Sequence, residues 1–165
     1  MVYDFIIRVF ADGAVVPIVL IGAYALLFQV QKNKRFEIYC RVLMAGLTAY
    51  LIAKLVGSVY QPASERPFEL VGEVAKASYL NNPGFPSDHS LFVWAITFVV
   101  WFETRARKLA VVLVTLSLLV CIGRVLALVH TPLDVIGGFI IALIGAGWYF
   151  VSPPAKKKPS APESE

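Results

Sequence analysis

The chain has two histidines, His89 and His130, and each sits among residues that could make it reactive. His130 is followed by Thr131-Pro132-Leu133 and then Asp134, one helical turn further on. A carboxylate bonded to one imidazole nitrogen fixes the tautomer and leaves the other nitrogen as nucleophile or base. The competing reading is a helix-capping aspartate beside an unrelated histidine. His89 belongs to Pro86-Ser87-Asp88-His89-Ser90, where Ser87 suits the N-cap of a helix. The first-turn amides of such a helix have no intrahelical acceptor and favour an anion, phosphate above all. An ordinary serine cap with an interfacial histidine is the alternative here. Lys54, Arg66 and Arg124 would add charge-assisted hydrogen bonds to a bound phosphate. Taken singly, Lys54 and Arg124 could equally be side chains snorkelling to lipid headgroups.

These residues must be positioned by elements that are overwhelmingly apolar. Of 165 residues, 58% are hydrophobic and 16% charged, and the mean hydropathy is +0.72. That balance excludes an ordinary soluble domain. A spanning helix needs about 20 mainly apolar residues, and runs approaching that length lie at 14–30, 38–60, 87–102, 109–128 and 132–151. We therefore expect an all-α, polytopic bundle of about five spans in a single domain, 1–151. The 87–102 run is near the lower limit for crossing and should rely on its neighbours. Ahead of the spans, Val2, Phe5, Ile6, Val9 and Phe10 recur at helical spacing with Asp4, Arg8 and Asp12 between them. This pattern predicts a short amphipathic helix in the membrane interface, with an ordered tail as the alternative. The stretch 61–85, with Pro62, Pro67, Pro83 and Gly84, reads as a long loop. Residues 152–165, rich in Lys, Pro, Ser and Glu, read as a disordered cytoplasmic tail. Gly137, Gly138, Gly145 and Gly147 suggest close helix packing within the bundle.

Five spans put three basic clusters on one side: Lys32/Lys34/Arg35, Arg105/Arg107/Lys108 and Lys156/Lys157/Lys158. The positive-inside rule makes that side cytoplasmic. The long loop, His89, His130 and the cations Lys54, Arg66 and Arg124 then share the outer face. Ionisable groups beside spans cost roughly 2.5 to 3.5 kcal/mol at a helix centre, so each calls for a partner or a purpose. Cys40 and Cys121 have no CxxC or metal-ligand spacing, which argues against a disulfide framework or zinc site. No basic surface interleaved with aromatics suggests nucleic acid. The amino terminus lacks a basic n-region followed by a small-residue cleavage site, so the first span is expected to serve as its own targeting signal.

Lys54, Arg66-Pro67, Pro86-Ser87-Asp88-His89 and the run from Gly123-Arg124 through His130 to Asp134 resemble the three-part signature of the type 2 phosphatidic acid phosphatase superfamily. The resemblance implies a metal-independent phosphatase without a cofactor. In it His130 attacks phosphorus to give a phosphohistidine, Asp134 orients His130, and His89 protonates the leaving oxygen. Lys54, Arg66, Arg124, Ser87 and the amides around Asp88 and His89 hold the phosphoryl oxygens. The chain departs from the pattern in three places. Eleven residues separate Lys54 from Arg66, a longer gap than usual, so 61–65 is expected to be an inserted turn. Asp88 stands in place of the commoner Gly, and Gly123 in place of the commoner Ser, which removes one hydroxyl from the cradle.

The Pro-Ser-Asp-His variant is similar to the branch acting on undecaprenyl diphosphate, the polyprenyl carrier of bacterial cell-wall synthesis. The resemblance thus implies a plasma-membrane hydrolase that releases inorganic phosphate from that lipid at the outer face. A phosphatidate or phosphatidylglycerophosphate phosphatase is the alternative within the same chemistry. A transporter is the alternative outside it, but would be expected to carry its charges near the bilayer midplane. The partners implied are a lipid phosphate and the surrounding membrane lipids; sequence does not fix an oligomeric state.

Overall fold

The computed structural model describes residues 2–63, 65–80 and 84–151. The expected tail at 152–165 lies outside the described residues, as do Asn81 and Asn82. Among the described residues every regular element is helical: α1 (Val2–Arg8), α2 (Val15–Phe28), α3 (Arg35–Val59), α4 (Pro67–Leu70), α5 (Asp88–Glu103), α6 (Arg107–Leu126) and α7 (Pro132–Gly145). A π turn, Val9–Gly13, joins α1 to α2, and 3-10 turns occupy Lys32–Lys34 and Ala146–Phe150.

Four stretches are long and apolar enough to cross a membrane: Val2–Phe28, Lys32–Val59, Arg107–Leu126 and Pro132–Phe150. Their large apolar side chains remain exposed where they face away from the bundle, as at Leu43, Leu51, Leu118 and Ile136. In water such a surface would be untenable; against lipid it is the expected solvent match. The chain is a multi-pass helical membrane protein. The amino-terminal helix is not set apart from the first span by a loop. The chain meets no proline before Pro17, and the π turn carries the helix on without a break.

α5 is the short helix foreseen from its apolar run. Its 16 residues rise about 24 Å, less than the roughly 30 Å of the hydrocarbon core. It is also the hub of the bundle, packed against α2, α3, α6 and α7. Val93, Thr97 and Val100 on it are fully buried, opposite Leu113, Ser117 and Val120 of α6. Because the apolar effect drives little association between helices in lipid, small residues and polar cross-links carry the packing. Thr97 Oγ1 and Ser117 Oγ lie 2.8 Å apart, and Ser90 Oγ donates to the Val135 carbonyl at 2.7 Å. Gly138 lets α7 ride directly on α5: a Cβ there would sit 2.7 Å from the Ser87 oxygen. At Gly145 a Cβ would meet the Ala45 carbonyl of α3 at 2.6 Å, whereas Gly147 faces open space and takes no part in this packing.

The two ends of the bundle differ. At one end lie the α2–α3 and α5–α6 junctions with their basic clusters, tied together by Arg41 of α3. Its guanidinium donates to both Glu103 carboxylate oxygens, at 2.7 and 2.8 Å, and also engages Glu37. At the other end, the described residues 61–63, 65–80 and 84–85 fold over the ends of α3, α6 and the start of α7. The Gln61 amide nitrogen donates to the carbonyls of Gly57 and Phe85, stitching the loop to α3.

Candidate active site

Ser87 caps α5 as its sequence suggests: the backbone leaves the helical region there, and Oγ accepts from the Ser90 amide. The Ser87 amide in turn donates to the Asp134 carbonyl at 2.9 Å, locking the start of α5 to the start of α7. Pro132 fills the first position of α7, where a missing N–H costs nothing. Thr131 and Asp134 complete a capping box, with the Thr131 amide donating to Asp134 Oδ2 at 2.7 Å. Asp134 is therefore both the cap of α7 and the neighbour of His130.

α6 ends at Leu126, and Leu128 adopts a left-handed backbone with φ 59°. A branched side chain there is strained, but the conformation turns the chain sharply off the helix. The turn buries His130 and leaves its Nδ1 3.5 Å from Asp134 Oδ2. That approach falls short of a hydrogen bond, and Nδ1 is buried without another partner. Catalytic contacts are often long before substrate binds, and a closure of about 0.6 Å would complete this one. Burial pushes the His130 imidazole below its ordinary pKa; Asp134 opposes the shift, while the Arg124 and Arg66 charges add to it. At neutral pH the ring is thus neutral and able to act as a nucleophile.

Two buried arginines flank this ring. Arg66 precedes α4, where its amide donates to Glu69 at 2.6 Å. Its guanidinium donates to the carbonyls of Val129 at 2.6 Å and Leu80 at 3.0 Å, and stacks over Tyr79. Arg124, only 1% exposed, donates through Nη1 to the Ser78 carbonyl at 2.7 Å and to Asp12 at 2.9 Å. Its Nε is buried without a partner. His89, in the first turn of α5, places Nε2 3.9 Å from Asp12 Oδ1. Among the described residues no group of three or more His, Cys, Asp or Glu side chains is placed to hold a metal ion.

Of the residues singled out by sequence, Ser87, Asp88, His89, Arg66, Arg124, His130 and Asp134 gather at this one end. Lys54 is exposed, with its ammonium 5.5 Å from the Tyr50 ring centre. It lines an apolar cavity of about 810 Å³ between α2, α3, α5 and α7, whose wall also includes Asp88 and His89. Two residues escaped sequence reasoning. Asp12 fell among the polar positions of the amino-terminal helix, and Ser78 lay in the loop without a motif. No spacing could tie Asp12 to Arg124, 112 positions away.

The chain is 30% identical over 125 residues to the bacitracin transport permease protein BcrC of Bacillus licheniformis, an alignment covering 74% of this chain and 58% of that protein. It is 29% identical over 143 residues to the undecaprenyl-diphosphatase BcrC of Bacillus subtilis (strain 168), covering 87% of this chain and 71% of the relative. This chain thus spans less than two thirds of the first relative's length. No solved structure is a significant match. The family profile described as PAP2 superfamily matches residues 36–158, and the chain belongs to that superfamily.

Proposed function

We propose that the chain is a lipid phosphatase that hydrolyses undecaprenyl diphosphate to the monophosphate and inorganic phosphate, at the outer face of the plasma membrane. The observation that carries this reading is the neutral, buried His130 beside Asp134, enclosed by Arg66, Arg124 and the amino end of α5. His130 Nε2 attacks the terminal phosphorus, forming a P–N bond as the bond to the bridging oxygen breaks. His89 gives its proton to that leaving oxygen. Asp134 stabilises the imidazolium that forms, and the two guanidiniums with the α5 amides offset charge on the phosphoryl oxygens. Water then attacks phosphorus with His89 as base, releasing phosphate and restoring neutral His130.

The apolar cavity reaching Asp88 and His89 supports a lipid substrate, since a chain lying between α2, α3 and α5 would present its head to the site. The name of the Bacillus subtilis relative supports the polyprenyl diphosphate over phosphatidate. The name of the Bacillus licheniformis relative favours transport as a second reading. Against it stands the gathering of Arg66, Arg124, His89 and His130 at one end of the bundle, leaving no charged site midway. The outer placement rests on the positive-inside rule applied to the basic junctions at the opposite end.

Phosphate release by detergent-purified protein, in EDTA, from undecaprenyl diphosphate and phosphatidate separately decides the matter. The expected result is release from the polyprenyl lipid that disappears in His130→Ala. Preference for phosphatidate would move the substrate, and release surviving loss of His130 would remove the mechanism.

A further inference from the structure

Two groups assigned above to the substrate already share a ligand. Arg124 Nη1 lies 2.9 Å from Asp12 Oδ1, and His89 Nε2 lies 3.9 Å from the same atom. Ser78 adds two donors, its amide to Oδ2 and its hydroxyl to Oδ1, both at 2.9 Å. A carboxylate whose two oxygens are met by a guanidinium, a hydroxyl and an amide, with an imidazole close by, occupies the surroundings that a phosphate site offers its ligand.

The fold holds Asp12 there through its backbone. The π turn carrying it presses against α6 at Gly123, where a Cβ would stand 2.7 Å from the Ala11 nitrogen and 2.9 Å from the Phe10 carbonyl carbon. Ile7 and Ala11 are buried with Ala127 and Val129 on the same contact. π turns inside α-helices often occur at functional sites. The side chain itself is 26% exposed, so the carboxylate can swing outward while the helix stays in place.

We propose that the Asp12 carboxylate is a resident anion, holding the place of a phosphoryl oxygen between Arg124 and His89, so that an incoming phosphoryl group must displace it. This rests on the reading of the site as a phosphate cradle. A carboxylate and a phosphoryl group cannot both keep full charge at one guanidinium without mutual repulsion. Asp12 therefore weakens the hold on phosphate, which speeds departure of the product and leaves substrate affinity to the lipid portion. It also keeps the buried Arg124 charge paired when the site is empty.

The test is the binding of inorganic phosphate to the full-length purified protein, read by calorimetry and as competitive inhibition of phosphate release. Asp12→Asn keeps the shape and removes the charge; Asp12→Glu keeps the charge. Asp12→Asn should bind phosphate about tenfold more tightly than wild type, with a lower KM and no gain in kcat, while Asp12→Glu should stay near wild type. Equal or weaker binding in Asp12→Asn, with binding still lost in Arg124→Ala, would overturn the inference and leave the phosphatase reading standing. Phosphate that binds none of these proteins, or binds regardless of Arg124, would bring down both.

Discussion

The two ends of the bundle bury arginine in opposite ways. At the basic end Arg41 meets a carboxylate face to face, both oxygens of Glu103 taking its nitrogens, with Glu37 as a third contact. At the site end Arg66 and Arg124 are more deeply buried, and they donate to the carbonyls of Val129, Leu80 and Ser78, with Arg124 also meeting the Asp12 carboxylate. A carbonyl holds a guanidinium in position without neutralising it. The Arg41 charge is thus met by carboxylates in a packing role, whereas the carboxylate that meets Arg124, Asp12, is itself 26% exposed and able to give way to a phosphoryl group. Within the site, Arg124 Nε and His130 Nδ1 are buried without partners, whereas Arg41 makes three hydrogen bonds to carboxylates.

The largest expected contrast comes from the proposed nucleophile. His130→Ala should reduce phosphate release by about a thousandfold or more, with little change in thermal stability, as read by parallel activity and melting measurements. Arg124→Ala should cost about 10² to 10³ in kcat/KM. Arg124→Lys should not restore it, because a compact ammonium cannot keep the Ser78 and Asp12 contacts of Nη1 and also offer further planar N–H donors to a phosphoryl group. The reverse pattern is expected at the basic end. Arg41→Ala should destabilise by about 3 kcal/mol through the unpaired Glu103, while the protein that remains folded keeps its kcat/KM. Replacing both partners with apolar residues should recover most of that stability.

Much of the site was legible because its parts are local. Ser87 to His89 and His130 to Asp134 each fall within about one helical turn, so spacing alone implied proximity, and Pro132 announced where α7 begins. Four of the five apolar runs return as stretches able to cross a membrane, the first of them extended back to Val2, while the run at 87–102 forms the shorter α5. What sequence could not show were contacts made across the whole chain. Asp12 reaches Arg124 only because Gly123 admits the backbone of Phe10 and Ala11, a matter of surface fit. Lys54 could be placed only by the fold: it lines the apolar cavity whose wall also includes Asp88 and His89. Gly147 carried the residue type for close packing without a neighbour to pack against.

A smaller effect should appear in the pH profile. Burial holds the pKa of His130 below its ordinary value, and attack requires the neutral ring. Activity should therefore persist as pH falls through the usual histidine range of about 6.5, declining only below it. Adding positive charge disfavours the imidazolium, so Arg66→Ala should move this acidic limb upward, as read by kcat/KM against pH. The smallest expected change is Thr97→Val, which leaves Ser117 with its bond to the Val93 carbonyl. It should lower stability by about 1 kcal/mol without touching activity.

The most direct test of the central claim is to trap the covalent intermediate with undecaprenyl diphosphate labelled in its terminal phosphate, followed by rapid quench and peptide mapping. The expected result is label on the peptide holding His130, stable in alkali, lost in acid and absent from His130→Ala. Label on another residue, or steady phosphate release by His130→Ala, would contradict the assignment of His130 as nucleophile.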